Sequence, residues 1–150
     1  VKERSQARAV AIQALYELDC TAHPTGEVLD HRLAEVALSD DLAVFTRQIV
    51  SGVRAHAEAL DQLIHTYAPE WPMDQVAVID RNVLRLAVWE WAVSRETPMK
   101  VAFNEAVEMA KLFGSDSAPR FVNGVLGALA EQQAAVFQFF DRPPTPAQAA

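Results

Sequence analysis

The chain has 150 residues, a net charge of −7 and one cysteine, Cys20; that length fits a single domain with enough core to fold without metal or disulfide. A lone cysteine suits a reducing compartment, and no apolar run reaches the ~18 residues that a membrane helix requires, so a soluble cytoplasmic protein is expected. An acidic total argues against a nucleic-acid binder, but residues 17–41 sum to −6 and 55–80 to −5, leaving +4 for the rest, which predicts a mildly basic face on an acidic body.

Only five glycines occur, no long stretch alternates apolar with polar, and apolar positions recur at helical spacing. The expected fold is all-α, a single bundle of six or seven helices over residues 1–142, with a Pro-rich tail at 143–150 that cannot pack. The first helix is expected at Glu3–Thr21, with Ala7, Val10, Ala11, Ala14, Leu15 and Leu18 on one face. "HPTG" ends it, and a second helix follows at Glu27–Ala37. Ser39 is placed to cap a third, with Asp40 and Asp41 in the first turn, where the helix dipole favours anions. That helix presents Leu42, Phe45, Ile49 and Val53, and either continues past Arg54 or breaks there.

The two prolines of "PEWPMD" form a joint. The segment after it, "QVAVIDRNVLRLAVWEWAV", is apolar on several sides, so it belongs at the centre of the bundle. Thr97 is expected to cap the next helix, with Pro98 in its first position. Gly114 is expected to close that helix in a left-handed conformation. The last helix is expected at Ala118–Asp141, capped by Ser115, Asp116 or Ser117.

Catalytic chemistry has little support in these residues. No Gly-rich phosphate loop is present, and no serine stands in a nucleophile elbow. His23, His31, His56, His65 and Cys20 show no metal-ligand spacing, and His56 and His65, nine apart, read as solvent-facing. Glu105 and Glu108 are i, i+3 neighbours, but nothing beside them would raise a carboxyl pKa for acid–base work; a solvated helix face is the plainer account. No enzyme, cofactor or metal site is expected.

Three stretches carry more than packing demands. Lys2, Arg4 and Arg8 precede "AIQALYELD", with Arg4 and Arg8 on one helix face. "IDRNVLRLAVWEW" sets Asp80, Arg81 and Arg85 at the start of an otherwise apolar helix. "FGSDSAPRFVNGVLGAL" places Arg120 near a helix N-terminus, which attracts phosphate, beside Phe121, a ring suited to base stacking. Each stretch also reads as ordinary packing and solvated surface.

The blocks "AIQALYELD", "IDRNVLRLAVWE", "TPMKVAFNEAVEMAKLFGSD" and "RFVNGVLGALA" resemble, in order and spacing, those of the NusB family of bacterial transcription antitermination factors, over roughly residues 4–130. The resemblance implies a non-enzymatic, all-helical protein that binds boxA-type single-stranded RNA together with the ribosomal protein NusE. It implies that the pair acts on the transcription elongation complex, notably on ribosomal RNA operons. Carried over by position, it assigns RNA contact to Lys2, Arg4, Arg8, Lys100, Arg120 and Phe121, and partner contact to Tyr16 and Asp80. The chain departs from the family at Ser5 and Gln6, which separate two arginines, and at Pro119. Two other readings stand beside this one: a protein–protein adaptor with little RNA binding, and the detached N-terminal domain of a ribosomal RNA cytosine methyltransferase.

Overall fold

The computed structural model describes residues 2–70 and 75–141, with the side chain of Lys2 outside that set. The proposed tail at 143–150 and most of the "PEWPMD" joint also lie outside the described residues. Those described are all helical: α1 (Lys2–Cys20), α2 (Thr25–Ala34), α3 (Asp40–Ala55), α4 (Ala57–Tyr67), α5 (Val78–Val88), a π-helical continuation (Trp89–Ser94), α6 (Met99–Phe113), α7 (Ala118–Ala130) and α8 (Gln133–Asp141).

These are eight α-helices where six or seven were expected: of the two alternatives for the third helix the break near Arg54 is the one observed, and the last helix is broken once more. The α3–α4 break falls at His56, whose backbone leaves helical geometry (φ −110°, ψ 11°). Its ring Nδ1 lies 2.9 Å from the Gly52 carbonyl oxygen. His56 is therefore half-buried in a kink, not solvent-facing, whereas His65 is exposed as expected. The last helix breaks at the turn Glu131–Gln132, and α8 folds back on the π segment.

The central position expected for the α5 segment is observed. Residues 82–88 are all buried, and α5 touches α1, α3, α4, α6 and α7. A helix enclosed on every side must satisfy its polar groups internally. Arg85 does so through paired bonds to both oxygens of Asp61 (2.7 and 2.6 Å) and one to Asp19 (3.1 Å). Asp19 also accepts from Asn82 (2.9 Å). This network ties the end of α1 to α4 and α5.

Beyond Val88 the chain widens to π geometry, with Arg95 N–H bonded to the carbonyl of Glu90 five residues back (3.1 Å). Such segments are rare and interrupt α-helices mostly where something specific must be placed. Here Glu90, Trp91 and Ala92 all turn inward. Arg95 ends the segment in left-handed geometry (φ 59°). Its side chain bonds to the carbonyls of Ala92 and Phe137 and to Asp141, fastening α8.

The helix ends match the expected caps only in part. Ser39 caps α3 as expected, accepting from Leu42 N–H (3.3 Å). Thr97, however, does not cap α6: its hydroxyl donates to buried Glu90 (2.7 Å), and Pro98 takes the cap position. Ser117 occupies the α7 cap position without a side-chain cap bond. Gly114 ends α6 in extended, not left-handed, geometry (φ −93°, ψ −179°). A glycine is required there for space. An added Cβ would sit 2.5 Å from Ala118 Cβ and 2.9 Å from both the Ala110 carbonyl oxygen and Asp80 Oδ1. The α6–α7 turn thus closes directly onto the start of α5. Because the obstructing atoms are mostly backbone and short side chains, Gly114→Ala should destabilise the fold by about 1–3 kcal/mol, measurable by chemical denaturation.

Candidate nucleic-acid and partner interface

The candidate RNA residues stem from three helix N-terminal regions. In α1, Arg4 is exposed and Arg8 is not. Arg8 is 3% exposed and donates Nε and Nη2 to the two oxygens of Glu90 (2.7 and 2.9 Å), itself 1% exposed. Its Nη1 lies 3.3 Å from Glu105. The expectation of Arg8 as a surface cation is therefore corrected: its charge is consumed inside the protein. Sequence spacing placed Arg4 and Arg8 on one face, but could not show that Glu90 arrives opposite Arg8. A carboxylate held between two tryptophans in "WEW" was the available signal, since a buried acid demands a partner.

Glu105 is likewise not a solvated acid. It accepts from Ser5 (2.6 Å) and faces Arg8, whereas Glu108 is exposed and pairs with Lys111 (3.1 Å) as a surface pair. These contacts tie the first turns of α1 to α6. Ser5 meets Glu105, while Gln13 and Tyr16 share a groove with Phe113, so the two helices run in the same direction.

That direction separates the cations. Arg4 and Lys100, both exposed, lie at the starts of α1 and α6, at one end of the pair. The connection from Phe113 to Ala118 is short, so α7 runs back against α6. Arg120 therefore lies at the opposite end from Lys100, about 20 Å away along α6 at 1.5 Å per residue. Among the described residues, Arg120 is exposed and makes no ion pair. Phe121 is half-buried against the core. Gly127 on the same helix has open space where a Cβ would stand, so it is not there for helix packing.

The groove lies between the middle of α1 and the start of α5. Its volume is about 470 Å³, and Gln13, Tyr16, Arg32, Val78, Ile79 and Phe113 are among its lining residues. Tyr16, 46% exposed, stands at its edge. Arg32 is held at the rim by Glu17 (3.1 and 3.2 Å). Glu17 also bonds His23 (2.9 Å), and that bond, together with Arg32, holds its carboxyl below the usual range against the opposing effect of desolvation.

Asp80 does not line this groove. It occupies the first turn of α5, as the dipole argument expected, but its side chain is buried beside Gly114. Its Oδ1 and the neighbouring Arg81 Nε have no hydrogen-bond partner among the described residues. Burial pushes the Asp80 carboxyl above its ordinary value of 3.8. The structure thus separates Tyr16, open on the groove, from Asp80, enclosed behind the α6–α7 turn.

The profile of the NusB family matches residues 5–131. This chain belongs to the NusB family. A transcription antitermination protein NusB from Roseiflexus castenholzii is 45% identical over 128 residues, covering 84% of this chain and 90% of that relative. The NusB of Bacillus subtilis is 40% identical over 124 residues, covering 83% and 92%. Among solved structures, T. maritima NusB aligns with a TM-score of 0.78 at 29% identity, over 86% of this chain and 91% of that one. A chain of the crystal structure of antitermination factors NusB and NusE in complex with dsRNA aligns with a TM-score of 0.76 at 25% identity, over 92% and 98%. The relatives are named for antitermination, a role that is not enzymatic. Among the described residues, no helix is long and apolar enough to cross a membrane.

Two stability outcomes follow from the charges of this region. Glu90→Ala removes the bidentate partner of buried Arg8 and leaves it only Glu105 at 3.3 Å, which should cost about 3 kcal/mol, the lower end for a broken buried pair, read as a lower denaturation midpoint. Asp80 acts through pH. Its folded pKa is raised, so its carboxyl favours the native state when protonated. That contribution is present below the ordinary value of 3.8 and is lost as pH rises through the raised folded value. Asp80→Asn should remove this loss, so that the variant gains stability relative to the parent as pH rises above the ordinary value of 3.8; denaturation curves from acid to neutral conditions check it.

Proposed function

We propose that this protein binds boxA-type single-stranded RNA together with NusE and so supports processive transcription, with ribosomal RNA operons as its principal setting. The observation that carries the reading is the likeness over nearly the whole chain to a chain of the NusB–NusE complex with dsRNA, which supports NusE and RNA as partners; the single-stranded boxA target is the finer part of the proposal. The charge layout is compatible. Exposed Arg4, Lys100 and Arg120 offer backbone contacts to a strand, and half-buried Phe121 stands next to Arg120. Single-stranded RNA is bound by such charge together with aromatic stacking. The groove at Tyr16 is proposed as the NusE surface. Asp80, enclosed beside Gly114, adjoins that surface from behind the α6–α7 turn.

With Arg8 internal, the free cations are few and far apart on a chain of charge −7. Affinity for RNA should therefore be low for the isolated protein and rise when a basic partner shares the strand. The same observation keeps an adaptor role as the second reading, in which NusE alone supplies the RNA contact.

Binding of a boxA RNA and a scrambled control, at two salt concentrations with and without NusE, distinguishes the two readings. Tighter boxA binding in the presence of NusE is expected. Arg120→Ala should weaken it for all sequences and reduce the salt slope by roughly 0.7, the share of one single-strand phosphate. Identical RNA affinity for NusE alone and for the pair would move the function to the adaptor.

A further inference from the structure

Phe45 of α3 carries none of the roles assigned above, yet it sits beneath the one N-terminal arginine that remains at the surface. The guanidinium carbon of Arg4 lies over its ring, 3.9 Å from the centroid, and that of Arg8 lies 5.3 Å from it. The ring is 9% exposed, so it forms a fixed floor and not a mobile surface group. Its position is set by its neighbour. The hydroxyl of Thr46 is buried and donates to the carbonyl of Ala7 (3.1 Å), which locks α3 to α1 one residue from the ring. On the other side, the bonds of Arg8 to Glu90 and of Ser5 to Glu105 hold the same turn of α1 against the π segment and α6. Arg4 thus stays exposed on a turn whose Ser5 and Arg8 side chains are tied down.

We propose that Phe45 is a positioning residue of the RNA surface: it pre-orients the Arg4 guanidinium so that its N–H edge is presented to an RNA phosphate. This rests on the RNA-binding reading given above. The chemistry is specific to arginine on an aromatic face. A ring attracts the guanidinium through its face, whereas phosphate accepts hydrogen bonds at the guanidinium edge. Occupying the face leaves the donors free and removes rotamer freedom that a solvated arginine would lose on binding. It also explains how a protein with few free cations makes one of them effective.

The test is RNA affinity of the protein–NusE pair at several salt concentrations for Arg4→Ala, Phe45→Leu and the double variant. Arg4→Ala should lower the salt slope by roughly 0.7, because a phosphate contact is lost. Phe45→Leu keeps the charge, so the slope should stay at the parent value while affinity falls about two- to fivefold, the worth of an exposed cation–π contact. The double variant should bind no more weakly than Arg4→Ala. Replacement of Phe45 by ring-fluorinated phenylalanines preserves shape while draining the ring face of negative charge, and affinity should fall with each added fluorine; this series stands even if Phe45→Leu fails to fold. Parent-like affinity across the fluorinated series, or losses from Phe45→Leu and Arg4→Ala that add in full, would overturn the proposal. Absence of RNA binding by the parent pair would instead overturn the RNA-binding reading on which it rests.

Discussion

The bidentate contact between Arg8 and Glu90 is the constraint around which the N-terminal half of the interface is arranged. Both groups are almost wholly removed from water. Desolvating two such ions is costly, and only good geometry with further hydrogen bonds compensates. The structure supplies these: Thr97 donates to Glu90, Glu105 stands beside Arg8, and Ser5 completes Glu105. Since α1, the π segment and α6 each contribute a member, any slip in their relative register would leave a charge unpaired in the interior. The pair therefore acts chiefly by specifying how three helices meet, and less as a source of net stability.

The π segment is the device that makes this possible. In a regular α-helix successive residues lie about 100° apart; the wider segment alters that spacing where Glu90, Trp91 and Ala92 are all buried. Widening the helix brings Glu90 to Arg8 and, one residue on, sets Trp91 against Phe103 and Phe137. The same segment ends in the left-handed Arg95, whose guanidinium lies over the Phe137 ring (4.5 Å) and anchors α8. One local departure from α geometry thus joins the charged interior on one side to the aromatic packing on the other.

The interface gains its character from what this interior consumes. With Arg8 withdrawn, the exposed cations among the candidate RNA residues lie at two ends of α6, Arg4 and Lys100 at one and Arg120 at the other. The acidic residues of α2 and of its flanks lie elsewhere on the chain, and there Glu17 is engaged by His23 and Arg32. Between the cation clusters, the groove at Tyr16 is bounded by the start of α5, where Gly114 lets the α6–α7 turn approach Asp80 closely. Charge, groove and turn are thus all positioned by the packing of α1 and α6 on α5.

The sequence by itself determined the helical class, the central place of α5, the Ser39 cap and the exposure of Arg4, Lys100 and Arg120. Each follows from local pattern: apolar periodicity, an all-round apolar segment, a capping residue before two acids, or a cation outside any apolar stripe. Together with its resemblance blocks, it also pointed to the NusB family. Tertiary structure alone decided the rest. Which carboxylate would neutralise Arg8, that Thr97 would serve Glu90 and not a helix end, that Gly114 needs room beside Asp80 and not dihedral freedom, and that Phe45 would lie under Arg4 are all contacts between residues 7 to 82 positions apart. Helical periodicity tells which face a side chain occupies, but not which face of which other helix will meet it; burial then compels a choice of partner that no local pattern records.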